Sequence, residues 1–502
     1  MAKSEDLRTE KTIDSVSTLA RRGTIESINT PLSVVRFAWQ KLIDVGVEVR
    51  GLEPIPVEGR TDRRYVNKAT IFAASMISLL PIGIGIAPTL VYGLPFSHAA
   101  AIIVGLNFVL ILPSAYIMTV APKTGMRQMV QARYSFGKYF NAFNSLTVTI
   151  GTAGFGVIAC CQGAQVLTSL SPEDLPIAGS ISIIMIVGLV LSFMGYHVLH
   201  FFARWVWIVT LFAVLVLVGS CGDLLHHQAQ ARAEGPKPYT GMVALSAANM
   251  LSWVNIIGDY AVYMPPEAPT VRLICYVIGG LAVPFTLLEL LGAAIGGATP
   301  VISTWALAYQ TGGFGNVVGS ILTERLGNFG KFILVILAFS VVTTVARDLY
   351  TISFTVPIIL PPLRAVPRIV WPIVATGVMI GVAVAAVGDF LDAVSSFLHI
   401  LGYITGSSVT IYLVEWFYFR KADPANMDPA IWDTASALPS GVAAAAAIFV
   451  PWALIVPGMQ SAWYVGPIAE KAGDLGFEFA LGAALLIYGP VRALEIRFRR
   501  QI

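Results

Sequence analysis

Apolar residues in this chain come in long unbroken runs rather than at the spaced positions of a soluble amphipathic helix. The runs lie near residues 70–93, 98–120, 143–169, 177–196, 202–221, 243–264, 272–296, 331–360, 369–388, 391–418, 438–458 and 475–494. A helix rising about 1.5 Å per residue needs about 20 residues to cross about 30 Å of hydrocarbon, so each run is of spanning length. None shows the period-two alternation of a membrane barrel strand. The pattern predicts an all-α integral membrane protein of about 12 transmembrane helices, with a polar tail over residues 1–68 and a short one over 495–502. No short apolar leader with a small-residue cleavage site precedes the first run, which is expected to act as its own signal anchor. In the tail, Leu32, Val35, Trp39, Leu42 and Ile43 recur at helical spacing and predict a short amphipathic helix on the membrane surface.

Two runs are interrupted. The first contains PIGIGIAP (81–88), with two prolines and two glycines near its centre. Proline removes a backbone donor and crowds the preceding turn, while glycine costs about 1 kcal/mol relative to alanine, so this stretch is expected to be the unwound middle of helix 1. In hydrocarbon such a break persists only where it faces a cavity or other protein, which makes Gly83 and Gly85 candidate walls of a site. The sixth run, LSAANMLSWVNIIGDYAVYMPPEAP, carries Gly258 and Asp259 inside the membrane and closes on Pro265 and Pro266. Two broken spans set five helices apart point to a transporter of inverted five-helix repeats, with its site at the midplane where half-helix ends expose dipoles.

Composition agrees with the pattern and adds orientation. Hydrophobic residues make up 56% of the chain and charged ones 12%, against about 25% charged in an ordinary soluble domain, and mean hydropathy is +0.75. Lys123, Arg127, Arg133, Lys138, Arg272, Arg364, Arg368, Arg420 and Lys421 all fall in one alternate set of loops, so both termini are expected to be cytoplasmic. That bias accounts for the net charge of +3 and calls for no nucleic-acid partner. Cys160, Cys161, Cys221 and Cys275 lie within or at the edge of spans without a CxxC spacing, so no disulfide, metal site or cofactor is expected.

Ionisable groups inside spans are costly and are functional candidates by default. Trp253 can stack on a flat ring, and Asp259 can accept its hydrogen bonds or a proton. Glu289, in PFTLLELLGAAIGG, is a second candidate for the coupling proton and has no obvious partner nearby in sequence. Arg347 and Asp348 are adjacent in SVVTTVARDLYT. Neighbours on a helix point about 100° apart, so the two need not pair, and one is expected to face the cavity and the other the cytoplasmic side. His399 and Glu415 are read as packing or interfacial residues. A membrane-embedded enzyme would need a metal constellation, a nucleophile or clustered acid–base groups, and a channel a filter or charged ring; none of these patterns occurs.

Four segments together resemble the purine-cytosine permeases of fungi, in the nucleobase-cation-symport-1 family. They are GVEVRGLEPIPVEGRTD (46–62), APKTGMRQMVQARYSFG (121–137), the stretch from Trp253 through Gly258-Asp259-Tyr260 to Pro265, and WYVGPIAEKAGDLGFE (463–478) followed by YGPVRALE (488–495). The resemblance implies a leucine-transporter-like fold: a 5+5 inverted repeat over residues 69–420, a loop over 421–437 and two C-terminal helices over 438–494. It also implies proton-coupled import of purine bases, cytosine or a related small heterocycle across the plasma membrane. The alternative within the class is a vitamin B6-type pyridine or an allantoin-like compound. By alignment to the family pattern, Phe155 and Ala159 stand where nucleobase carriers have a tryptophan and an asparagine, and Thr344 and Asp348 where they have two asparagines. These four are candidate substrate-binding positions. A carboxylate at Asp348 predicts a preference for protonatable or amino-bearing rings over oxo-rich ones.

Overall fold

A computed structural model describes residues 52–499 except 194 and 231–233; the expected surface helix around 32–43 lies outside the described residues. Every apolar run carries helix. The helices used below are α1 (Val66–Met76), α2 (Leu79–Leu90), α3 (Phe96–Met118), α4 (Gln128–Gln131), α5 (Asn141–Ser169), α6 (Ile177–Phe193), α7 (Gly195–Cys221) and α8 (Lys237–Leu251). They continue with α9 (Thr270–Ala298), α10 (Ser303–Ser340), α11 (Val342–Ile359), α12 (Val370–Ala386), α13 (Phe390–Val414), α14 (Val442–Gly458) and α15 (Gly476–Arg499). Among the described residues, six helices are long and apolar enough to span by themselves, and the bent pair α1 and α2 makes a seventh. Lipid is the natural environment of the apolar side chains left outside the packing, such as Ile373, Val374, Val378 and Val382 on α12.

Helix α5 packs between α10 and α11, α9 lies on α2, and α13 sits between α8 and α15. A two-residue antiparallel pair, Gln460–Ser461 with Tyr464–Val465, precedes α15.

The break in the first span is not where the prolines and glycines stand. It falls at Ile77 and Ser78, the latter fully extended (φ −153°, ψ 176°), and the axes of α1 and α2 differ by 55°. PIGIGI is helical, because Pro81 sits in the first turn of α2, where a backbone donor is unpaired in any case. Its glycines serve close approach instead. A Cβ on Gly85 would come within 2.1 Å of the Glu289 carbonyl oxygen, and one on Gly83 within 2.3 Å of the Gln162 amide. The groups freed at the break are partnered by the α10–α11 junction: Thr343 Oγ1 donates to the Ala74 carbonyl (3.3 Å), Thr344 Oγ1 to that of Ser75 (3.2 Å), and the Leu79 amide donates to Ser340 Oγ (3.0 Å).

Two further differences follow from local backbone. The sixth span loses α-helical form at Ser252, ahead of Gly258-Asp259, and continues as single 3-10 turns over Ser252–Asn255 and Ile257–Tyr260. Residues 303–330, which lie between two of the apolar runs, are helical, with non-helical backbone at Gly312, Gly313 and Gly327 that folds this stretch into segments. The middle segment lies on α5, where a Cβ on Gly315 would meet the Gln165 backbone at 2.3 Å.

Ionic layers close both ends of the bundle. On the face bearing the basic loop 121–137, Arg60 donates to the carbonyls of Ile55, Pro122, Lys123 and Thr124, joining two of the segments that carry the family resemblance. There Glu415 is held by Arg420 (3.0 Å), by Arg492 (3.0 Å) and by the Tyr488 hydroxyl (2.9 Å). On the opposite face His399 contacts Asp474 (3.1 Å), the Tyr92 hydroxyl (2.9 Å) and the Gln460 carbonyl (3.0 Å), tying α2 and α13 to the segment before α15.

Candidate functional site

A cavity of about 50 Å³ lies where both chain breaks face α5 and α11. One water needs about 10–15 Å³ by this measure, so the space as it stands is that of a few waters. Met76 and Leu80 flank the α1–α2 break and form one wall. Gly151, Thr152 and Phe155 of α5 form the next; Asn249, Ser252, Trp253 and Asn255 come from the unwound end of α8, and Arg347 and Asp348 from α11.

The aromatic part is rigid. Trp253 is 6% exposed, its ring meets Phe72 edge-on with centroids 5.6 Å apart, and the Arg347 guanidinium lies 4.8 Å from its ring centre. Phe155 is set edge-on against Phe397 at 6.1 Å.

The polar part is incompletely satisfied. Arg347 donates through Nε (3.0 Å) and Nη2 (2.8 Å) to a single Asp348 oxygen, Oδ1. Asp348 Oδ2, Arg347 Nη1, both side-chain polar atoms of Asn249 and Asn255 Oδ1 are buried without a partner. Buried polar groups are ordinarily hydrogen-bonded, and one left open costs about 1–3 kcal/mol, so five such atoms around one cavity mark a place for a polar ligand.

Of the residues singled out in the sequence, Trp253, Phe155 and Asp348 come together here. The expectation that Arg347 and Asp348 point apart is corrected: long side chains bend along the helix surface, and the two form a side-on ion pair of which both members face the cavity. Ala159 is buried one turn beyond Phe155 and outside the lining. Thr344 is spent on the Ser75 carbonyl, and Gly83 and Gly85 are spent on helix contacts. Asp259 does not reach the cavity; its Oδ1 accepts from the Gln128 backbone amide (2.7 Å), where a carboxylate is favoured at the N-terminus of α4. Glu289, fully buried, accepts through Oε2 from Asn107 Nδ2 on α3 (2.6 Å), while its Oε1 has no partner.

Arg347, Asn249 and Asn255 were not among the expected ligands. Asn249 left a trace: it precedes Trp253 by one helical turn and shares its face within an otherwise apolar run.

Residues 54–477 match the sequence family described as permeases for cytosine/purines, uracil, thiamine and allantoin. A purine-cytosine permease of Emericella nidulans is 29% identical over 91% of this chain and 90% of its own. A vitamin B6 transporter of Saccharomyces cerevisiae is 24% identical over 99% and 94%. Among solved structures, Mhp1, a nucleobase-cation-symport-1 family transporter in a closed conformation with bromovinylhydantoin bound, is similar at TM-score 0.67 and 16% identity, over 90% of this chain and 96% of that one. A Na⁺-coupled sialic acid symporter is similar at TM-score 0.58 and 13% identity, over 92% and 97%. The fold is thus the one expected from the two interrupted spans.

Proposed function

Because the chain belongs to the family of permeases for cytosine/purines, uracil, thiamine and allantoin, we propose that it imports a small flat nitrogen heterocycle of the nucleobase kind, with protons, across the plasma membrane by alternating access. Both termini are then cytoplasmic, residues 69–420 form the transport core and residues 438–494 an accessory helix pair. The observation that carries the reading is the set of five unpartnered polar atoms beside Trp253, at the meeting of two broken spans. A ring stacked near Trp253 supplies partners to those atoms and excludes water from them. The half-helices on either side of each break then rock as units about the occupied site.

Glu289 suits the coupling proton better than Asp259. Its carboxyl is buried in the interior with one oxygen unpartnered and lies on α9, beside α2. Asp259 is held at the α4 N-terminus. A second reading, uptake of a vitamin B6-type pyridine, is favoured by Phe155 and Ala159, which stand where the family pattern of nucleobase carriers has a tryptophan and an asparagine.

Radiolabelled cytosine, adenine, hypoxanthine and pyridoxine supplied to a yeast strain lacking its own carriers test the proposal. Saturable uptake of a nucleobase that collapses with a protonophore is expected. Absence of uptake, or uptake indifferent to the gradient, overturns it.

A further inference from the structure

The sequence alone predicts, from the carboxylate of Asp348, a preference for protonatable or amino-bearing rings. The structure changes the charge count. Asp348 faces the cavity together with Arg347, the two are bonded through one carboxylate oxygen, and the pair sums to zero. The other polar groups at the cavity, Asn249, Asn255, Ser252 and Thr152, are neutral, so the lining carries no net charge.

The open atoms define a pattern. Arg347 Nη1 offers N–H donors, and Asp348 Oδ2 offers an acceptor from the adjacent residue. Asn249 offers one donor and one acceptor, and Asn255 Oδ1 a further acceptor. A ligand satisfies this set only by presenting acceptors and N–H donors along its own edges. The aromatic wall points the same way. A cationic ring would ordinarily gain from the face of a tryptophan. Here a guanidinium already lies 4.8 Å from the Trp253 ring centre, so a ligand cation meets like charge there.

We propose that Arg347 and Asp348 act as one electrically neutral clamp that selects uncharged heterocycles with an acceptor beside an N–H donor and rejects charged rings, a thiazolium or pyridinium on one side and a ring carboxylate on the other. The inference rests on the cavity being the transport site. It sets this chain apart within a family whose described substrates include both neutral bases and thiamine.

The test is competition against labelled substrate by neutral cytosine and hypoxanthine, cationic thiamine and 1-methylnicotinamide, and anionic orotate, in cells expressing the whole chain. In the wild type the neutral rings compete at least about tenfold better than either ionic class, since an uncompensated buried charge is the dominant penalty. Arg347→Gln leaves the carboxylate unbalanced and shifts competition toward the cations, and Asp348→Asn leaves the guanidinium unbalanced and shifts it toward orotate, each by about tenfold. The double variant Arg347→Gln/Asp348→Asn is neutral again and returns to the neutral rings. A merely structural pair would not move selectivity in opposite directions. If a single variant fails to reach the membrane, the wild-type and double-variant profiles still decide. Thiamine competing as well as cytosine in the wild type, or single variants with the wild-type charge profile, overturn the clamp while leaving transport intact. No uptake of any heterocycle overturns the transport reading and the clamp with it.

Discussion

Two buried arginine–carboxylate clusters in this protein are built from the same groups and end differently. On the basic-loop face both oxygens of Glu415 are occupied, Oε1 by Arg420 and Arg492 and Oε2 by Arg492 and Tyr488. Arg420 also reaches the carbonyls of Tyr134 and Asn426, tying the loop 121–137 to the end of α13, while Arg492 and Tyr488 tie α15 there. At the cavity, Arg347 and Asp348 share one oxygen and leave Nη1 and Oδ2 open. A buried ionic network whose members satisfy one another fixes structure, and one left half-satisfied beside a void is held ready for a ligand. Burial alone does not separate the two, since Glu415 and Asp348 are each 1% exposed. The carboxylate does: both Glu415 oxygens are held while Asp348 Oδ2 is open, although Arg420 Nε is unpartnered as well.

The largest effect is expected where both carboxylate oxygens are held. Glu415→Gln takes the shared carboxylate from Arg420 and Arg492, 4% and 1% exposed, of which Arg492 keeps Glu495 (3.2 Å), and should cost about 3 kcal/mol of stability. A thermal melt of the solubilised protein should show a clear loss, with a smaller one for Asp348→Asn, which affects a single arginine facing a space that water can enter. Equal losses would erase the distinction between the clusters.

At the cavity the change should appear in binding. Trp253→Ala removes a ring face worth about 1–3 kcal/mol in stacking and should weaken apparent affinity about 5- to 150-fold, with Trp253→Phe losing less and both variants reaching the membrane. Unchanged affinity would return Trp253 to simple packing against Phe72.

The smallest effect belongs to the outer rim of the basic-loop face. Asp433 there pairs with Arg133 (2.8 Å), Lys138 (3.3 Å) and Arg364 (3.4 Å), but its side chain is 36% exposed, so Asp433→Asn should cost less than about 1 kcal/mol. Partial burial alone would raise its carboxyl, yet hydrogen bonds from Arg364 and Lys138 and the charge of Arg133 hold it below the ordinary carboxylate value. A lowered value means that the stabilisation is complete above the ordinary carboxylate range and is lost as pH falls through the lowered one. The difference in melting temperature between wild type and Asp433→Asn should therefore narrow below about pH 4.

The sequence by itself determined the membrane class, the helical windows and the presence of two interrupted spans, because hydrocarbon imposes its length and hydropathy requirements on each segment separately. It also placed Trp253 and Asp348 among the candidates, since a polar or indole side chain in an apolar run stands out whatever surrounds it, whereas Phe155 entered only through the family resemblance. Where each span breaks was decided by the tertiary structure: Pro81 fits the first turn of α2, and the non-helical residues Ile77 and Ser78 are tolerated because Ser340, Thr343 and Thr344, more than 250 positions away, partner the freed groups. The roles of the carboxylates were decided there as well. Asp259 is drawn to a short helix N-terminus from another part of the chain, Glu289 finds Asn107 on α3, and Asp348 bonds the arginine beside it. A side chain's role follows from which partners satisfy its lone pairs and donors. Those partners come from packing between helices far apart in sequence, which no local pattern of residues records.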